Sequence, residues 1–220
     1  MTLNEVLYQV KSELYGGSGT DDTLISLELM EVWVRTGRAK LIRQLYNRQS
    51  PINDLIMPFC VPMSMADASL CCSWEAGCTV LRSTDKLPKT LSFGEASDGI
   101  TSVNSLDGFT GTNYSRTTAV RAKVDSKSKF AGGRFFLQAD YLYISPGNPN
   151  TDKLLVWVIP ENPIEWYDLD ECETGDCEDS WDKFYIPDHF INDLVRIIKV
   201  ENGFPTRQIP KDTQNDTKED

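Results

Sequence analysis

The chain has 220 residues, 40% of them hydrophobic and 25% charged, which is enough apolar material for a buried core without disulfide support. Acids outnumber bases 33 to 22, a formal net charge of -11, which argues against a general phosphate binder because such affinity rests on neutralising backbone charge. No run of about 18 apolar residues occurs, so a membrane-spanning helix is excluded.

Met1 to Glu5 lacks a basic stretch followed by an apolar one, so no secretory signal is expected and the chain should stay in the cytosol where it is made. Thr2 and Glu5 have capping-box spacing. Leu3, Val6, Leu7, Val10 and Leu14 then recur at helical intervals until Gly16-Gly17-Ser18-Gly19 ends the helix. A second helix is predicted from Asp21 or Asp22 to Tyr46, with Leu24, Leu27, Met30, Val34, Leu41, Ile42 and Leu45 apolar. Gly37 is a weak point where it can bend, costing about 1 kcal/mol relative to alanine. Asp21, Asp22, Glu28 and Glu31 lie early, and Arg35, Arg38, Lys40, Arg43 and Arg48 lie late, an order that complements the helix dipole. These bases point around the whole helix. Two readings stay open: a solvated, dipole-matched helix end, or a contact with an acidic neighbouring subunit.

From residue 50 to 164 the pattern turns to short apolar runs punctuated by Gly, Ser, Thr and Pro, which reads as β structure. Strands are predicted at Leu55–Cys60, Thr79–Arg82, Thr90–Phe93, Ile100–Asn104, Ala119–Val124, Arg134–Gln138, Tyr141–Ser145 and Leu154–Ile159. The last two bracket the turn-rich Pro146 to Thr151, which suits a hairpin. Asn113 to Arg134, with six bases and one acid, reads as a mobile basic loop holding one strand.

Residues 165–182 form an acidic loop with nine acids and no base, which accounts for most of the net charge. Trp166, Tyr167 and Trp181 are placed to anchor its ends. Pro187 and Asp188 open a third helix with Phe190, Ile191, Leu194, Val195 and Ile198 on its apolar face, stopped by Asn202-Gly203 and Pro205. The expected architecture is α+β. It has an N-terminal helix pair (1–49), a central antiparallel β sandwich or small barrel (50–164), the acidic loop and a C-terminal helix (183–204), all in one domain over 1–204. Residues 205–220 carry one aliphatic side chain, Ile209, and form a polar tail that is disordered alone or ordered on a partner.

No constellation for catalysis is complete. The single histidine, His189, has no thiol or carboxylate held beside it by any spacing. The glycine loops and nucleophile elbow of phosphate binders and hydrolases are missing. Cys71, Cys72, Cys78, Cys172 and Cys177 are spaced more widely than zinc knuckles, and all six cysteines are expected as free thiols in a reducing cytosol. An EF-hand register from Asp170 puts Gly175 sixth but Cys172 third and Trp181 twelfth, so it fails; a loose divalent-cation contact stays possible. No metal, cofactor or catalytic residue is therefore assigned, and the chain is not expected to be an enzyme.

Asp21-Asp22 and the helix ending Ala39-Lys40-Leu41-Ile42-Arg43-Gln44-Leu45-Tyr46-Asn47-Arg48 resemble the opening of neck proteins of tailed bacteriophages. The segments Cys71 to Ser83, Leu87 to Leu91 and Pro210 to Asp220 are similar to ring or head-to-tail connector proteins of crAss-like phages. That resemblance implies a structural virion protein, assembled in the bacterial host cytoplasm as an oligomeric ring, commonly twelvefold. It would connect the portal to the tail and other neck proteins and line a channel through which genome DNA passes without specific binding. The tail could then order on an adjacent subunit. Arg35, Arg38 and Arg43 are the expected subunit contacts, with Asp168, Asp170, Glu171, Glu173 and Asp176 as their acidic partners. The competing reading is an acidic binding module, a DNA mimic that occupies a basic site on a partner.

Overall fold

The computed structural model describes residues 2–15, 25–67, 79–93, 99–106, 113–125, 133–145, 150–169, 184 and 186–203. Three helices form one layer and a seven-stranded barrel forms the other. Helix α1 (Leu3–Tyr15) starts on the predicted capping box: the Thr2 N–H donates to Glu5 Oε2 at 2.8 Å, and the Glu5 N–H donates to Thr2 Oγ1 at 3.1 Å. Helix α2 (Leu27–Asn47) starts later than its acids suggested, because Ser26 caps it, accepting from the Leu29 N–H at 3.2 Å. Asp21, Asp22 and Leu24 lie outside the described residues.

A 3-10 turn (Asn53–Leu55) leads into the long strand β1 (Met57–Asp67), which begins past the predicted start and runs well beyond the predicted end. Next come β2 (Thr79–Ser83), β3 (Ile100–Ser105) and β4 (Asn113–Arg116). Helix α3 (Ala119–Asp125) then precedes β5 (Arg134–Gln138), β6 (Tyr141–Ser145) and β7 (Lys153–Val158). The short helix α4 (Pro163–Leu169), a 3-10 turn (Asp188–Phe190) and helix α5 (Ile191–Glu201) complete the order.

The strands close in the order β1-β2-β6-β5-β4-β3-β7. Strand β1 serves two neighbours in succession, pairing with β7 through Met57 to Pro62 and with β2 from Met63 onward. The change falls at Pro62, which has no N–H to give, so a proline is tolerated there. Alternation fills the barrel: Met57, Phe59, Val61 and Met63 from β1, and Leu154, Val156 and Val158 from β7, point into one apolar cluster with Leu142, Ile144 and Phe135. Trp166 of α4 enters this cluster fully buried, as its predicted anchoring role requires, and its Nε1 donates to the Lys89 carbonyl at 3.3 Å. The barrel interior is thus side chains, not a pore.

Two strand predictions and one hairpin are corrected. Ala119–Val124 is helix α3, because Thr118 caps it through the Arg121 N–H and the Ala122 N–H donates to the Thr118 carbonyl. This helix lies in the crossover between β4 and β5, the one parallel pair among the described residues, which a tight turn cannot join. Its Ala122 covers Phe136 and Tyr143, stacked at 5.0 Å on the outer barrel face. Thr90–Phe93 makes only a single bridge, Thr90 to Pro160. The expected hairpin across residues 146–151 is absent: β6 pairs with β2 and β5, and β7 with β1 and β3. The two-residue hairpin joins β5 to β6 instead, through Ala139 and Asp140 at φ 52° and 67°, the geometry of a type I′ turn. Within the basic loop read over 113–134, residues 113–116 are β4 and 119–125 are α3, while residues 126–132 lie outside the described residues.

The helical layer has its own core. Val6 and Val10, Met30, Val34 and Ile42, and Leu194 and Ile198 meet there with Leu55, Leu91, Ile159 and Phe184 from the connecting segments. Gly37 does not interrupt α2, which runs unbroken through it. Its role is close approach: a Cβ there would stand 2.9 Å from Leu194 Cδ1 and 3.1 Å from Ile198 Cγ1. Cys60, buried in β1, is disulfide-bonded, which corrects the expectation of six free thiols; the other cysteines lie outside the described residues. Gly37→Leu is expected to lower unfolding stability in urea by about 1–3 kcal/mol through overpacking at the α2–α5 crossing. Gly37→Ala should be close to neutral, its gain in helix propensity offset by a small shift of the Leu194 side-chain end and a slighter one at Ile198 Cγ1. A leucine variant with an unchanged midpoint would contradict this role for Gly37.

Candidate assembly interface

The late bases of α2 separate into two classes. Arg38 follows Val34 by four residues and precedes Leu41 and Ile42 by three and four, so helical geometry sets it on the core face. It is fully buried. Its Nη1 donates to the Pro160 carbonyl at 2.7 Å and approaches the Glu161 carbonyl at 3.5 Å. Its guanidinium carbon stands 5.6 Å from the centre of the Phe184 ring. Burial pulls its pKa down to about 10, so it keeps its charge at neutral pH. This places the expected contact residue Arg38 inside the molecule, where a neighbouring subunit does not reach it.

Arg35, Lys40 and Arg43 take the other side of α2. They line a groove of about 350 Å³ with Lys89, Glu161 and Glu165. Arg35 is ion-paired with Glu31 one turn earlier on its own helix. Lys40 reaches Glu201 of α5 at 2.5 Å, half in solvent, a contact of small net stability. Arg43 and Lys89 are exposed. Across the groove, the Asn162 side chain donates to Glu165 at 2.8 Å and accepts from the Ile164 N–H at 3.3 Å, which fixes the start of α4.

The structure therefore brings Arg35 and Arg43 to one groove and leaves Arg38 out. It brings the first acid of the acidic segment, Glu165, to the same groove of the same chain. Asp168, one turn further along α4, is exposed; the acidic loop is thus helical over its first residues. Asp170, Glu171, Glu173 and Asp176 lie outside the described residues. Lys89 and Glu161 were not foreseen, because tertiary packing alone sets them beside α2. Among the described residues no cluster of three metal-ligating side chains occurs, and no helix is long and apolar enough to cross a membrane. His189 is exposed and rests on Phe190, its ring 4.0 Å away.

A filled barrel and a charge-lined groove describe a shaped block with partners on its outside, and the family comparison agrees. The model for phage tail ring protein 2 matches residues 5–220. The chain belongs to that family of crAss-like phage ring proteins. No curated protein matches it. Membership makes the chain a structural component of the phage tail and not a member of an enzyme family. The match runs through α1, the barrel, α5 and the residues beyond, so the whole block is the family's pattern.

Arg38→Ala is expected to destabilise the phage ring protein by about 3 kcal/mol or more, from the cavity it opens and the buried carbonyls left without a donor. Arg43→Ala should stay within about 0.5 kcal/mol of the parent. Denaturant unfolding of the two variants checks the contrast, and equal midpoints would contradict the division of these arginines into buried and surface roles.

Proposed function

We propose that copies of this chain close into a ring, twelvefold by the family likeness, in the phage neck between the portal and the next tail component. The cationic groove of one copy receives the acidic segment of the next. Arg35 and Arg43, joined by Lys40 and Lys89, face Asp168, Asp170, Glu171, Glu173 and Asp176 of the neighbour. Different patches meet at each contact, so the interface is heterologous, and a rotation that closes gives a ring. Since side chains fill the barrel, the DNA path lies between copies, at the centre of the ring. Acidic groups facing that path would repel phosphates and let the genome pass without sticking.

The observation that carries this reading is the gathering of Arg35, Lys40, Arg43 and Lys89 in one groove, at whose edge α4 leads into the acidic segment. A segment that starts at this edge can pair within its own chain or reach across to a neighbour, and mixing experiments separate the two. Chains with Arg43→Glu and Lys89→Glu should fail to assemble at low salt in sedimentation velocity while keeping the parent unfolding midpoint. Chains with Asp168→Lys, Asp170→Lys and Glu171→Lys should fail likewise. An equal mixture of the two should assemble, because each variant then presents the charge its neighbour needs. Normal assembly of either variant alone, or no recovery on mixing, would overturn the charge-paired interface.

A further inference from the structure

We propose that the disulfide of Cys60 fastens the acidic segment to the outer wall of the barrel, through Cys172 or Cys177. The connectivity follows from the fold alone; its consequence for assembly rests on the ring reading above.

Cys60 lies in the part of β1 that pairs with β7, opposite Leu155. Phe59 and Val61 on either side of it point into the barrel core, so Cys60 faces outward. An outward side chain on a barrel wall meets solvent unless something covers it. Pro58, two residues earlier on the same face, is exposed, yet Cys60 is 1% exposed and disulfide-bonded. It belongs to none of the three apolar clusters formed by the described residues. The segment that carries the bonded cysteine supplies the cover.

The other cysteines are Cys71, Cys72, Cys78, Cys172 and Cys177. A disulfide needs its two Cα atoms within about 7 Å. From Cys60 to Asp67, where β1 ends, is seven residues, about 23 Å of strand. Cys71 is four residues past Asp67, at most about 14 Å of chain, and falls short. Cys72 is one residue further, about 18 Å fully extended, but the chain must first reverse direction, and a turn takes about four residues. Cys78 precedes Thr79, which pairs with Asp67, so it stays at the far end of β1. The acidic segment starts at the near end. Helix α4 packs beside Cys60, the Phe59 ring standing 5.3 Å from Trp166 and 5.4 Å from Tyr167. Cys172 is three residues past Leu169, where α4 ends, a span of about 10 Å, and Cys177 has five residues more. These two cysteines are the ones within reach.

The bond brings negative charge to a defined place. Asp170, Glu171 and Glu173 lie within two residues of Cys172, and Asp176 and Glu178 adjoin Cys177. With either cysteine bonded, its set of acids stays within about 15 Å of Cys60. A tethered segment has less conformational freedom to lose on docking than a free one, so its acids meet a neighbour's Arg43 and Lys89 at lower cost.

The test equilibrates the purified full chain with glutathione disulfide, which takes up the two electrons and two protons released as two thiols join. Remaining thiols are blocked with N-ethylmaleimide in denaturant. The chain is then cut before its aspartates and mapped by mass spectrometry without reduction. Cuts at Asp54 and Asp67 isolate Cys60 on residues 54–66, while residues 170–175 carry Cys172 alone and residues 176–178 carry Cys177 alone. The expected result is 54–66 joined to one of those two peptides. A bond from 54–66 to 67–84, or Cys60 carrying the blocking group, would overturn the connectivity. A chain with both Cys172→Ser and Cys177→Ser should need at least fivefold more protein than the parent to form rings at low salt in sedimentation velocity. Equal assembly would overturn the tether's part in presenting the acids. A parent chain that stays monomeric at every concentration would overturn the ring reading and leave the connectivity standing.

Discussion

One buried cation joins the two halves of this molecule. Arg38 projects from the middle of α2 across the boundary between layers and binds the carbonyl of Pro160, where β7 gives way to α4. It also lies against Phe184, which belongs to the helical core. Removing a guanidinium from water is costly, and a backbone carbonyl and an aromatic face supply part of the compensation. The cost explains why few sequences would place a charge there. The geometry explains what it achieves: α2, the end of β7 and the segment entering α5 are held by one side chain. The position of the groove that carries Arg35 and Arg43 relative to the barrel follows from this joint.

Where local physics decided the outcome, the sequence was readable. The capping box at Thr2 and Glu5 set α1, and the apolar spacing of Ile191, Leu194, Val195 and Ile198 set α5. Strands β2, β3, β5, β6 and β7 fell within a residue of their alternating runs. The failures share a cause, which is that a distant partner decided. Ala119–Val124 alternates tolerably as a strand, but the parallel pairing of β4 with β5 needs a crossover, and the segment supplies it as helix. The turn signals of Pro146 to Thr151 were real turn chemistry without a hairpin, since both flanking strands found better neighbours around the barrel. The Ala139-Asp140 turn lacks the Asn-Gly signature and passed unnoticed.

The site was legible in part for the same reason. The clustering of bases late in α2 was visible, and a helical wheel separates Arg38 from Arg35 and Arg43, because it falls in line with Val34 and Ile42. Lys89, Glu161 and Glu165 are brought to the groove by the barrel edge and α4, and no local pattern announces that. Among the described residues the buried volume goes to packing and, Arg38 apart, the charged side chains reach the surface of a block whose halves that arginine joins. Membership of a phage tail ring family fits such a block.

The central claim is that the helical layer and the barrel move as one body. Native-state hydrogen exchange on the full chain tests it most directly, because amides that open in one cooperative unit share one opening free energy. The account predicts that the slowest amides of α2 and of β7 exchange with the same opening free energy and the same dependence on denaturant. Protection in α2 that collapses well before protection in β7 would show a helical layer that opens by itself, and would contradict it.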